Sequence, residues 1–91
     1  MIETFRRRRL REFFETDNAQ AIPPDLQQRV RVRLDALDAA KTLADLARPG
    51  FHCHPLRGQP RRYAIYVNGP WRITFEWRDG KARQVDLEQY H

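Results

Sequence analysis

Three short stretches hold the side chains able to do chemistry: His52-Cys53-His54-Pro55-Leu56-Arg57-Gly58, Trp71-Arg72-Ile73-Thr74 and Gln89-Tyr90-His91. His52 and His54 are two apart, so an extended segment turns both to one side and Cys53 to the other. A zinc site needs four Cys, His or carboxylate ligands, and no CxxC or HxxxH spacing supplies the rest. No metal and no cofactor is therefore expected, and both histidines also fit as ordinary loop or strand-end residues. The chain has no serine and no glycine-rich phosphate loop, and Cys53 lacks a nucleophile's signature. What remains is guanidinium, imidazole and phenol. Those groups suit metal-free cleavage of RNA. A base takes the 2′-hydroxyl proton, the oxygen attacks phosphorus, cations stabilise the added charge, and an acid protonates the leaving 5′-oxygen. Imidazole titrates near neutral pH and fits either proton-transfer role. Arg72 has two readings, a cross-strand partner for Glu76 or Asp86, or a cation fixed on rigid scaffold for a phosphate.

The elements that must position these groups read as helices first and strands second. Leu10, Phe13 and Phe14 form an apolar stripe that predicts a helix over 8–15. Arg6, Arg7, Arg9 and Arg11 then face mostly solvent, beside Glu12 and Glu15. Ile2 and Phe5 fit a short strand or a docked chain start. After a polar connector over 16–22, Pro23-Pro24 opens the clearest helix, whose Leu26, Val30, Leu34 and Leu37 share one face to about Ala40. Thr42 and Asp45 resemble a capping box and predict a short third helix over 43–47, stopped by Pro49-Gly50.

Three strands follow. Tyr63 to Val67 ends at the turn signal Asn68-Gly69, and Trp71 to Trp77 ends at Asp79-Gly80. The second sets Trp71, Ile73, Phe75 and Trp77 against Arg72, Thr74 and Glu76. In the third, Lys81 to Leu87, strict alternation sets Ala82, Gln84 and Asp86 against Arg83, Val85 and Leu87. The expected class is α+β, with helices on one face of an antiparallel sheet.

Length and charge bound the partners. Ninety-one residues make one small domain, expected over 1–91, and leave no room for a dinucleotide-binding fold. No apolar run approaches the about 20 residues of a membrane helix. The leading arginines precede no apolar secretory region. One cysteine excludes an internal disulfide framework and fits a cytoplasmic protein. Lys and Arg number 17 against 12 acids, a net charge of +5, and fifteen of the cations are arginine. Arginine grips phosphate bidentately, so a polyanionic partner fits, as does a plain solubility charge.

In order along the chain, Met1-Ile2-Glu3-Thr4-Phe5, Leu34-Asp35-Ala36-Leu37-Asp38-Ala39-Ala40, His54-Pro55-Leu56-Arg57-Gly58, Ile65-Tyr66-Val67-Asn68-Gly69-Pro70-Trp71-Arg72-Ile73-Thr74-Phe75 and the closing Tyr90-His91 resemble the HigB toxins. These are the plasmid-maintenance killer branch of the RelE/ParE superfamily. The resemblance implies a RelE-like fold, N-terminal helices packed on a curved antiparallel sheet. It implies a toxin that cleaves mRNA in the ribosomal A site without metal. It also implies a HigA-type helix-turn-helix antitoxin as partner, with operator DNA bound only through the toxin–antitoxin complex. By motif match, His54, Arg57, Arg72, Tyr90 and His91 are the expected catalytic residues. Arg61, Arg62 and Tyr66 are the expected substrate-binding residues. Two positions depart from many relatives. Tyr66 stands where they carry arginine, a role open to Arg61 or Arg62, and Gln89 stands where they carry an acid. Two rival expectations remain: a ParE-like toxin that binds DNA gyrase without catalysis, and a plain nucleic-acid-binding module with steep salt dependence.

Overall fold

A computed structural model describes residues 1–90. Helix α1 (Arg8–Thr16) is followed by a 3-10 turn (Pro24–Leu26), helix α2 (Gln27–Ala39), a second 3-10 turn (Leu43–Leu46), and strands β1 (His54–Pro55), β2 (Tyr63–Asn68), β3 (Trp71–Arg78) and β4 (Lys81–Gln89). The strands form one antiparallel sheet in the order β1-β2-β3-β4. The α+β expectation is met. No described helix is long and apolar enough to cross a membrane.

The apolar patterns act as read. Leu10 and Phe13 of α1, and Val30, Leu34 and Leu37 of α2, are buried against Ile65, Val67, Ile73 and Phe75. Aligned burial of these side chains outweighs the weak intrinsic stability of such short helices. Helix α1 ends on Asp17, whose backbone is left-handed (φ 61°) and whose N–H donates to Phe13 O. The double proline does not open a full α-helical turn; it makes the 3-10 turn that leads into α2. The third helix shrinks to a single 3-10 turn. Its capping box is real: the Asp45 carboxylate accepts from Thr42 N at 3.0 Å and Lys41 N at 2.8 Å. Those bonds hold the Asp45 carboxyl below the usual range.

Three features shape the rest, the first and third of them departures from the reading and the second the docked chain start it allowed. First, a fourth strand exists: His54–Pro55 pairs with Tyr63 and Ala64 on an edge, where proline needs no partner for a missing N–H. Second, Ile2 and Phe5 bridge β4 in parallel at Ala82 and Val85. This carries Arg6 and Arg7 to the sheet. Third, the even alternation expected for β4 is wrong. Thr74 pairs with Asp86, yet Glu76 pairs with Arg83, so Gln84 and Val85 together stand against Phe75. Gln84 takes the left-handed conformation (φ 49°) of this β-bulge. Ala82 therefore joins Val85 and Leu87 in the core, while Arg83 shares the polar face with Asp86 and Glu88.

Candidate active site

The helices cover one face of the sheet; on the other, Arg62 and Arg7 lie over the buried Thr74 and Asp86. Register sets two rows of side chains across this second face. One holds His54, Ala64, Thr74 and Asp86. The next holds Tyr66, Arg72 and Glu88, with the His52 ring edge-on to Tyr66 at 5.8 Å. Beyond the second row, Tyr90 leaves the strand and is fixed by its N–H to Pro70 O at 2.7 Å. A cleft of about 500 Å³ opens between the 56–60 loop and this end of β4. Its polar walls are Arg6, Arg57, Gln59, Arg62, Glu88 and Tyr90.

Each cation in this region is held differently. Arg57 is exposed and, among the described residues, has no hydrogen bond or ion pair. Arg62 is committed: Nη2 donates to Thr74 Oγ1 at 3.0 Å and to Gln84 O at 2.9 Å, while Nη1 lies 3.4 Å from Glu76 Oε2. It locks the bulge carbonyl to the polar face. Arg61 is exposed beside it and does not line the cleft. Arg72 stacks on the Tyr66 ring at 4.7 Å, and its Nη1 donates to Gly69 O at 2.7 Å and Trp71 O at 2.9 Å. Among the described residues, Arg72 Nε and Nη2 have no hydrogen-bond partner, and theirs is the edge that grips an anion bidentately. Tyr66 supports this arrangement further by accepting Gly69 N–H at its hydroxyl, 3.0 Å away.

The proton-transfer groups divide as well. Tyr90 is 39% exposed. Burial, then the Glu88 carboxylate, push its phenol above the ordinary value, and Arg62, Arg6 and Arg72 pull the other way. The phenol therefore keeps its proton at neutral pH and is a donor. His54 is exposed, with Nδ1 2.7 Å from His52 O. A carbonyl only accepts, so Nδ1 carries the hydrogen and Nε2 is the free nitrogen. His54 does not line the cleft. His91 lies outside the described residues. Burial raises the Cys53 thiol, which leaves it a poor nucleophile.

The cleft thus unites Arg57, Arg62 and Tyr90, with Arg72 close enough to act on the phenol electrostatically. His54, Arg61 and Tyr66 stand outside its walls. Two charged wall residues escaped the sequence reading. Alternation from Asp86 through Glu88 was enough to place Glu88 on the polar face. Arg6 had no local signal, because only the Phe5–Val85 bridge brings it there. Asp86 also departs from expectation. It pairs with Arg7, Nε to Oδ1 at 2.7 Å, and not with Arg72.

The family model for HigB, the RelE-like toxin of type II toxin-antitoxin systems, matches residues 3–91. The chain belongs to the HigB-like toxins. It is 35% identical over 92 residues to Endoribonuclease HigB of Proteus vulgaris, with the whole of both chains covered. It is 32% identical over 89 residues to Toxin HigB-1 of Vibrio cholerae serotype O1 (strain ATCC 39315 / El Tor Inaba N16961), covering 94% of each. A type II toxin is made with an antitoxin that restrains it, so this HigB-like toxin has an antitoxin partner. The α+β arrangement of helices on an antiparallel sheet is consistent with the RelE-like fold the resemblance implies.

Proposed function

We propose that this toxin is an endoribonuclease that inhibits translation by cutting mRNA in the ribosomal A site, without a metal ion. The observation that carries the reading is the cleft itself. It presents a protonated Tyr90 phenol and an Arg57 that is unpaired among the described residues, with Arg72, whose Nε and Nη2 have no partner among those residues, beside it. These are groups for holding a phosphodiester and offering it a proton.

In this reading Arg72 grips the scissile phosphate and stabilises the charge that builds on its oxygens, and Arg57 assists. The 2′-oxygen attacks phosphorus, the bond to the 5′-oxygen breaks, and a 2′,3′-cyclic phosphate remains. His54 and His91 are the candidates for proton transfer. Tyr90 stacks on, or donates to, the substrate nucleotide. Arg61 and Arg62 add positive field along the RNA path, and Tyr66 is the platform for Arg72. The unit is the single domain 1–91. A HigA-type helix-turn-helix antitoxin neutralises it in the cytoplasm, and the toxin meets operator DNA only within that complex.

Induction in cells followed by primer extension on a translated message tests the reading. The parent toxin cuts the message and arrests growth. Arg72→Ala loses about 100-fold or more of the cleavage while keeping its fold. Growth arrest with intact message and a DNA-damage response points instead to a gyrase poison and overturns the proposal.

A further inference from the structure

Arg72 and Glu88 are direct cross-strand partners in the adjacent strands β3 and β4. Opposite charges so placed ordinarily pair, because facing Cβ atoms lie only about 5 Å apart. These two do not. Among the described residues no ion pair joins them. Arg72 turns to the carbonyls of Gly69 and Trp71, and Glu88 turns to the Thr74 hydroxyl, which donates to its Oε2. Each charge is thus held by the sheet in its own direction. Among the described residues, Arg72 Nε and Nη2 and Glu88 Oε1 are left without a partner, an anion-binding edge and a proton acceptor on one face of the sheet. Adjacent ribose and phosphate of an RNA strand offer the complementary groups, a hydroxyl hydrogen next to an anionic diester.

The other acids of this face are unavailable for that role. Asp86 is 1% exposed and capped by Arg7 and its neighbour's N–H, Leu87 N to Oδ1 at 2.9 Å. Glu76 faces Arg62 at 3.4 Å and does not line the cleft. Glu88 does line it, beside Tyr90 and Arg57. Its Oε2 is anchored through a relay in which Arg62 donates to Thr74 Oγ1 and Thr74 donates to Glu88. Its Oε1 has no partner among the described residues.

We propose that Glu88 is a catalytic carboxylate of this cleft, accepting the proton of the ribose 2′-hydroxyl. This rests on the endoribonuclease reading above. The O2′–H bond breaks and its proton passes to Glu88 Oε1. The O2′–P bond forms as the P–O5′ bond breaks, and the leaving 5′-oxygen takes a proton from an imidazolium. Glu88 then returns its proton to water and the imidazole regains one, so the cycle closes without any redox change. The assignment also makes a histidine the acid and not the base. A hydroxyl contact of this kind further separates RNA from DNA, which has nothing to offer Oε1.

The test is single-turnover cleavage of a ribosome-bound message by the full-length toxin, as a function of pH, with Glu88→Gln. The glutamine oxygen still accepts from Thr74, so the fold and the relay persist while proton acceptance is lost. Cleavage falls by about 100-fold or more, and the decline of rate on the acid side of the profile disappears. Binding of a 2′-O-methyl message stays within about threefold of the parent. Glu88→Asp, which keeps a carboxylate, cleaves faster than Glu88→Gln. A parent that cuts beside a Glu88→Gln variant within about tenfold of it, or one that keeps the parent's pH profile, overturns the Glu88 assignment alone. A parent that leaves the message whole overturns the endoribonuclease reading and this inference with it.

Discussion

Replacing Arg62 by alanine distinguishes a strut from a substrate-binding cation. The guanidinium makes two charge-assisted bonds, to Thr74 Oγ1 at 3.0 Å and Gln84 O at 2.9 Å, and a longer approach to Glu76 at 3.4 Å. Its side chain is only 13% exposed. Bonds to a charged group contribute about 1.5–3 kcal/mol each, and the longer, partly exposed approach to Glu76 adds about 0–1 kcal/mol. Water entering the vacated space recovers part of this for the Gln84 carbonyl. Thr74 keeps its bond to Glu88. The net loss is on the order of 2–4 kcal/mol, which for a domain of this size lowers Tm by roughly 10–20 °C. Arg62→Lys keeps the charge but lacks the planar fork that reaches separate acceptors, so it falls between alanine and parent. Thermal melts followed by circular dichroism read the effect directly. A Tm lowered by less than about 3 °C in Arg62→Ala refutes the strut and returns this arginine to the substrate.

Two further outcomes concern the strand beneath the cleft. Burial outweighs the Arg7 ion pair and the Leu87 N–H at Asp86, so its carboxyl is raised. The folded state then holds this proton more tightly than the unfolded chain, and the Asp86 contribution to stability is lost as pH rises through the raised value. The Tm of Asp86→Asn minus that of the parent should therefore grow more positive with rising pH across the carboxylate range; a difference that grows more negative contradicts it. Gln84 sits at φ 49°, a conformation that costs a residue with a Cβ and not glycine. Gln84→Gly should gain about 0.5–1 kcal/mol in urea denaturation, and a loss of similar size contradicts a strained bulge.

Much of the fold was legible because burial period and strand period are local. The stripes through Leu10 and Phe13, and through Leu26, Val30, Leu34 and Leu37, are buried as written. So is the face of β3 that carries Ile73 and Phe75. What escaped depends on contacts distant in sequence. The bulge at Gln84 forms because two residues of β4 answer one of β3, and nothing in the run Lys81 to Leu87 announces it. The edge strand at His54–Pro55 is two residues long and exists only by pairing with β2. For the site, motif match pointed to His54, Arg57, Arg72, Tyr90 and His91; Arg57 and Tyr90 line one cleft with Arg72 beside it, His54 stands outside its walls, and His91 lies outside the described residues. Motif match did not tell an open guanidinium from an engaged one. Arg57 and Arg62 look alike in sequence, yet only the second is bound by its neighbours.

The central claim is that the cleft between the 56–60 loop and the end of β4 breaks an RNA diester. Purified toxin, incubated with ribosomes carrying a defined message in the presence of a chelator that spares them, should leave fragments ending in a 2′,3′-cyclic phosphate. Arg57→Ala combined with Arg72→Ala should leave the message whole while remaining folded. Fragments of the same kind and yield from that folded double variant would contradict the claim.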